Sequence, residues 1–180
     1  MLTNKSNINI SKTFINNKMN SFKNRRIKII TNSIYIILID QISKFLVLIT
    51  LGFERTNNII PGFLNFTLVK NKGAAFSLFS NSTSILTIIS VFTSFLLITI
   101  IIKYQPRSYW NSIGFTYLLG GTVGNGIDRL FKGYVLDFLE LVPINFPIFN
   151  VADISINIAI ICFIIDQLSK NDQSKIHLKK

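Results

Sequence analysis

Four stretches of this chain are apolar over the thickness of a bilayer: residues 29–52, 85–102, 111–130 and 150–168. About 20 residues of helix, at 1.5 Å each, cross a hydrocarbon core of ~30 Å. In that core every backbone N–H and C=O has to be satisfied inside the segment, so a lone span is helical. The expectation is an all-α membrane protein with four transmembrane helices and residues 29–168 as its membrane domain. Composition agrees, since only 15% of the residues are charged against about 25% in a soluble domain.

The formal net charge of +11 invites a nucleic-acid partner, but its distribution argues for a membrane. Lys5, Lys12, Lys18, Lys23, Arg25, Arg26 and Lys28 precede the first span, and Lys170, Lys175, Lys179 and Lys180 follow the last. Basic residues flanking spans mark the cytosolic side. No aromatic-interleaved basic module accompanies the charge, so no nucleic-acid partner is expected. Residues 1–28 read as a basic, disordered cytosolic tail, with an organellar targeting segment as the alternative. Residues 169–180 form a second basic tail. Lys103 and Arg107 put the connection between spans two and three on the same side. The long loops after span one and after span three are then extracytoplasmic. Cys162 and His177 are the single cysteine and single histidine, which leaves no disulfide within the chain and no expected metal or other cofactor.

Against this apolar background the polar residues stand out. Span one is interrupted by Asp40 and Lys44, four residues apart and so on one helical face. Such a pair either satisfies itself and a partner helix or serves a site, and in both cases it faces the protein interior. A near-copy, Asp166 to Lys170, lies where the chain leaves the membrane and reads as coincidence. After the turn at Pro61-Gly62, residues 63–69 read as a strand, followed by Asn71-Lys72-Gly73-Ala74-Ala75-Phe76-Ser77. Gly120 and Gly124 give span three a small-residue face for close helix contact. Asn125, Asp128 and Arg129 share a face at its end. Asp137 and Glu140 lie in the loop over residues 132–147, and span four opens on Asn150, Asp153 and Asn157. The asparagine could cap that helix, although a cap by itself does not call for Asp153 one turn in. With this topology the clusters of Asp40 and Lys44, Asn125 to Arg129, Asp137 and Asn150 to Asp153 converge towards the outer face of the bundle.

Carboxylates are the chemistry that remains. Ser43 and Lys44 are adjacent on a helix and do not face each other, and His177 is on the opposite side. Two aspartates brought close share a proton. The ionised member can deprotonate water while the protonated member donates to a carbonyl oxygen. A carboxylate enzyme, a proton- or ion-coupled carrier and a structural membrane protein all stay open on this ground.

Five ordered blocks carry a resemblance. They are Asp40-Gln41-x-Ser43-Lys44, the 71–77 block above, Gly120-Gly121-x-x-Gly124-Asn125-x-x-Asp128-Arg129, Val135-x-Asp137-Phe138 and Phe149-Asn150-x-Ala152-Asp153. Over roughly residues 34–165 the chain resembles the lipoprotein signal peptidases (signal peptidase II). The resemblance implies an aspartic endopeptidase of the bacterial inner membrane, with a small extracytoplasmic β-containing loop region. Its substrates would be prolipoproteins, cut just before the diacylglyceryl-modified cysteine, with membrane lipid as surroundings. The family's catalytic aspartates fall on Asp137 and Asp153. Its supporting or substrate-binding positions fall on Asp40, Lys44, Asn71, Gly73, Asn125, Asp128, Arg129 and Asn150. Arg129 would orient a carbonyl, hold the loop, or form a salt bridge to Asp128 or Asp40. Ser43 stands where threonine is commoner in the family, and both supply a hydroxyl.

Overall fold

The computed structural model describes residues 3–73, 83–104, 106, 108–144 and 146–177, with side chains from Lys23 to Lys170. Its elements in chain order are α1 (Thr3–Leu51), β1 (Thr56–Ile60), β2 (Leu64–Asn71), α2 (Thr83–Tyr104), α3 (Tyr109–Lys132), β3 (Val135–Leu141) and α4 (Val151–His177). Helix begins at Thr3, ahead of the apolar run, where a disordered tail was expected. Helix likewise continues past residue 168 to His177. Extending an existing helix fixes one residue per added bond, far cheaper than nucleating a new one.

Among the described residues three helical segments are long and apolar enough to cross a membrane: Lys23–Leu51, Thr83–Lys103 and Val151–Lys170. Their outward faces are apolar and bare; Ile88 and Phe95 on α2 are 68% and 70% exposed. Contiguous apolar surface of that extent fits lipid, not water. Helix α3 has 24 residues but is not apolar enough to join that set. It packs against α1, α2 and α4, so its surface meets protein and can carry glycine, asparagine and aspartate.

The glycines set how closely α3 approaches. A β-carbon on Gly120 would come within 2.7 Å of Ile36 on α1. One on Gly124 would meet the Asp40 carboxylate at 2.7 Å, and one on Gly121 would meet the Ala152 carbonyl of α4 at 2.5 Å. The small-residue face expected at Gly120 and Gly124 therefore lies on α1, and Gly121 extends the same fit to α4. Ser108 caps the start of α3 by accepting from the Asn111 N–H at 3.0 Å. Gly133, at φ +74°, closes its end.

The strands form one antiparallel sheet in the order β1-β2-β3. The strand expected at 63–69 is β2, turned from β1 at Gly62 with φ +71°. Strand β3 pairs on its other edge, with Val69 opposite Asp137 and Asn71 opposite Val135. Leu139 of β3 forms an isolated antiparallel bridge with Phe149, which lays the chain just before α4 along β3. One apolar cluster (Ile29, Leu97, Ile101, Leu119) ties α1, α2 and α3 together. A second (Val47, Leu68, Leu136, Phe138) seats the sheet on the end of α1.

Candidate active site

Lys44 is the charge centre beneath the sheet. It is wholly buried and has three donors, each with one acceptor: Asp40 Oδ2 at 2.8 Å, Asp128 Oδ2 at 2.9 Å and Asn125 Oδ1 at 3.0 Å. Two carboxylates beside one ammonium would leave a buried negative charge. Lys132 balances it by binding Asp128 Oδ1 at 2.8 Å. The remaining oxygen of Asp40 accepts the Ala152 N–H at 2.9 Å, tying α1 to the first turn of α4. Ser43 donates to the Asp40 carbonyl at 2.8 Å and takes no part in a Ser-Lys pair. The second Asp-Lys pair is structural too: Asp166 is buried, and accepts from Lys170 and from the Ser108 hydroxyl that caps α3.

Around this centre lie three amides, each with its oxygen taken by a donor and its NH2 aimed at a carboxylate. Asn71 Oδ1 accepts the Gly73 N–H at 2.9 Å, and its Nδ2 donates to Asp137 Oδ2 at 2.8 Å. Asn125 Oδ1 accepts from Lys44, and its Nδ2 donates to Asp153 Oδ1 at 2.8 Å. Asn150 Oδ1 accepts the Asp153 N–H at 3.0 Å, and its Nδ2 donates to Asp137 Oδ1 at 2.6 Å. Asp137 and Asp153 are thus joined through one residue, because the Asn150 backbone N–H donates to Asp153 Oδ2 at 3.1 Å.

Those Asn150 and Asp153 bonds correct one expectation. Asn150 is the N-cap of α4, and Asp153 is the third residue in. Each side chain bonds the other's backbone N–H, which is a capping box closed by aspartate instead of glutamate. The cap does call for Asp153. One of its oxygens serves the helix, and the other receives Asn125.

Asp137 lies on β3, outside the spans, and is almost fully buried. Burial pushes its carboxyl up from 3.8 to about 6, helped by the charge on Asp153. The hydrogen bonds from Asn71 and Asn150 and the charge on Lys44 work in the opposite direction. A carboxyl titrating there can both take and give a proton near neutral pH.

Both aspartates line a cavity of about 750 Å³ together with Asn71, Asn125 and Arg129. Its other wall is apolar, with Phe146, Pro147, Ile148, Phe149 and Ile156. Arg129 makes neither of the salt bridges considered for it. Its guanidinium donates to the Gly73 carbonyl at 3.5 Å and to Ser90 Oγ at 3.4 Å, which fits the role of holding the loop. Ala74, Ala75, Phe76 and Ser77 of the expected block lie outside the described residues.

Two features escaped the sequence. Residues 135–141, within the expected loop, form β3. The apolar run Val135-Leu136, Phe138-Leu139 lacks strict alternation because the strand is buried on both faces at its start. A short continuous apolar run was the available signal. The wall at Phe146 to Phe149 was also unread, since only the pairing with β3 brings it to the cavity. Among the described residues no group of three or more His, Cys, Asp or Glu side chains could hold a metal ion.

Comparison with known proteins bears on this arrangement. Residues 32–169 match the family described as signal peptidase (SPase) II. A lipoprotein signal peptidase of Parasynechococcus marenigrum (strain WH8102) is 44% identical over 140 residues, covering 78% of this chain and 88% of that protein. The lipoprotein signal peptidase of Enterococcus faecalis (strain ATCC 700802 / V583) is 41% identical over 127 residues, covering 71% and 79%. A bacterial membrane enzyme solved by the in meso method at 2.3 Å resolution superposes with a TM-score of 0.74 at 31% identity, covering 81% of this chain and 90% of that one. Another, at 1.9 Å, gives 0.70 at 32% identity, covering 78% and 92%.

Proposed function

The chain belongs to the signal peptidase (SPase) II family, and from that premise we propose an aspartic endopeptidase whose reacting groups are Asp137 and Asp153. The protein is a multi-pass membrane protease that removes the signal peptide from prolipoproteins. The cut falls just before the diacylglyceryl-modified cysteine. Helix α3 acts as the fourth span, enclosed by the other three. The site faces outward from the bacterial inner membrane, with both termini in the cytosol, because the basic flanks mark the inner side.

One observation carries the aspartate assignment: two carboxyls from different elements line the same cavity and are bridged by Asn150. In the reaction the ionised member of the pair takes a proton from water as its oxygen attacks the scissile carbonyl carbon. The protonated member donates to the carbonyl oxygen. Collapse of the tetrahedral species breaks the C–N bond, and the departing nitrogen takes a proton from the pair. The two groups titrate as one system. Asn71, Asn125 and Asn150 present NH2 groups that favour the ionised forms, while Arg129 holds the Gly73 carbonyl at the cavity edge. The apolar wall from Phe146 to Phe149 receives the lipid chains of the substrate, as apolar pockets with few polar groups do. A proton- or ion-coupled carrier finds no support among the relatives.

The test is turnover of a diacylglyceryl-modified precursor by purified Asp137→Asn and Asp153→Asn proteins. Loss of cleavage in both, with normal folding, supports the assignment. A folded Asp137→Asn enzyme with most of the native rate refutes it and leaves Asp128 as the next carboxyl to examine.

A further inference from the structure

We propose that Lys44 is a positioning residue for the cleavage reaction, acting through Asn125: its ammonium fixes the direction in which the Asn125 amide donates to Asp153. The inference rests on the assignment of Asp137 and Asp153 above.

An asparagine amide fits its space in either of two orientations, and only its neighbours decide between them. Asn125 has Lys44 Nζ and Asn150 Nδ2 on its oxygen side, both at 3.0 Å, and Asp153 Oδ1 on its nitrogen side at 2.8 Å. Reversed, it would set its NH2 against two donors and its oxygen against a carboxylate. The two donors are unequal. Asn150 spreads two hydrogens over Asp137, Asn125 and the Leu136 carbonyl. Lys44 commits one charge-assisted hydrogen to Asn125 and has no acceptor to offer in its place. Asp40 and Asp128 hold its other two hydrogens, so the ammonium cannot turn away.

The groups facing the aspartate pair are Lys44 from α1, Asn71 from β2, Arg129 and Asn125 from α3, and Asn150 from the start of α4. Lys44 touches neither aspartate. Its influence on proton transfer therefore runs through the amide and through its charge, and this separates it from a residue that only holds helices together. A helix-holding residue would change melting temperature and leave the pH profile of kcat where it is.

The experiment uses the full chain in detergent micelles and a diacylglyceryl-modified precursor, with kcat and KM measured from pH 5 to 9. Lys44→Met combined with Asp40→Asn removes the ammonium without leaving Asp40 charged, and the Asp128–Lys132 pair stays. Asn125→Ala leaves all four charged groups in place and removes only the amide. Both are expected to lower kcat by roughly 10²-fold, the scale of a misplacement of about 1 Å, with KM within about twofold. Both are expected to move the acid limb of kcat up by about half a pH unit or more, because the aspartate pair, which titrates as one system, loses a donated hydrogen bond. The two sets combined should be little worse than either alone.

Native kcat and pH profile in folded Asn125→Ala would overturn the proposal. So would full additivity of the two sets, or a change confined to KM. If neither protein shows a melting transition, the network is a stability element and the proposal fails. Asp137→Asn, run alongside, separates the two levels. If it stays active, the aspartate assignment is at fault; if it is inactive while Asn125→Ala is native, only the role of Lys44 and Asn125 falls.

Discussion

Asp137→Asn should make this protein more stable at pH 8 while stopping its chemistry. In the fold the Asp137 carboxyl titrates at about 6, against 3.8 when unperturbed. The folded state therefore binds that proton more tightly than the unfolded chain. The associated stability is fully present below pH 3.8 and is lost as pH rises through 6. At 1.36 kcal/mol per pH unit, the ionised carboxyl disfavours the fold by about 3 kcal/mol at pH 8. Asparagine matches the protonated carboxyl in size and charge; its oxygen accepts from one of the Asn71 and Asn150 amides, while its NH2 faces the other, a cost that is the same at every pH. It is neutral at every pH, so the variant escapes the penalty. Thermal melting of both proteins in the same detergent at pH 4, 6 and 8 reads the response of the coupled pair, since every titrating group outside Asp137 and Asp153 is shared. The variant should melt higher at pH 8, and the gap should close as pH falls through 6. Equal melting temperatures at pH 8, or a lower one for the variant, would refute the reasoning that burial raises this carboxyl. A gain in stability coupled to lost turnover is what a strained functional group gives when it is neutralised.

Asp153→Asn is expected to lose about 10²–10⁴-fold in turnover, the range for a general acid–base group, and the double aspartate variant should be little worse, as single-turnover cleavage would show. Gly121→Ala should destabilise by at least about 1–3 kcal/mol, the cost of overpacking, because its β-carbon would meet the Ala152 backbone carbonyl at 2.5 Å, where nothing flexible can yield; a denaturation midpoint in mild detergent reads this. With Cys162 replaced by alanine, a cysteine at Asn58 should react with an impermeant maleimide added outside intact cells, and one at Lys23 should not; the reverse pattern would invert the topology.

Legibility in the sequence followed distance along the chain. The apolar runs, the Asp40–Lys44 spacing and the Gly120–Gly124 face are local periodicities, and the helices follow them. The encounters are not local. Nothing in the stretch around Asp128 says that Lys44, 84 positions earlier, will be its partner in place of Arg129, and the choice is made by how α3 docks on α1. The pairing of β3 with β2 depends on a return across two helices. The capping box at Asn150 and Asp153 is local, its two residues three positions apart. Aspartate in place of the usual glutamate at the third position conceals it.

The ion pairs also bear on how the protein enters the bilayer. Asp40 and Lys44 on α1, Asp128 and Lys132 on α3, and Asp166 and Lys170 on α4 each sit four apart, acid first. That is the favourable order along a helix. Each of these pairs is therefore balanced within its own helix before that helix has met another. The paired groups of a newly made segment can leave the insertion machinery as a neutral unit, at lower cost than a bare charge at membrane depth. The contact between Lys44 and Asp128 then forms afterwards, as a clasp between helices already in place.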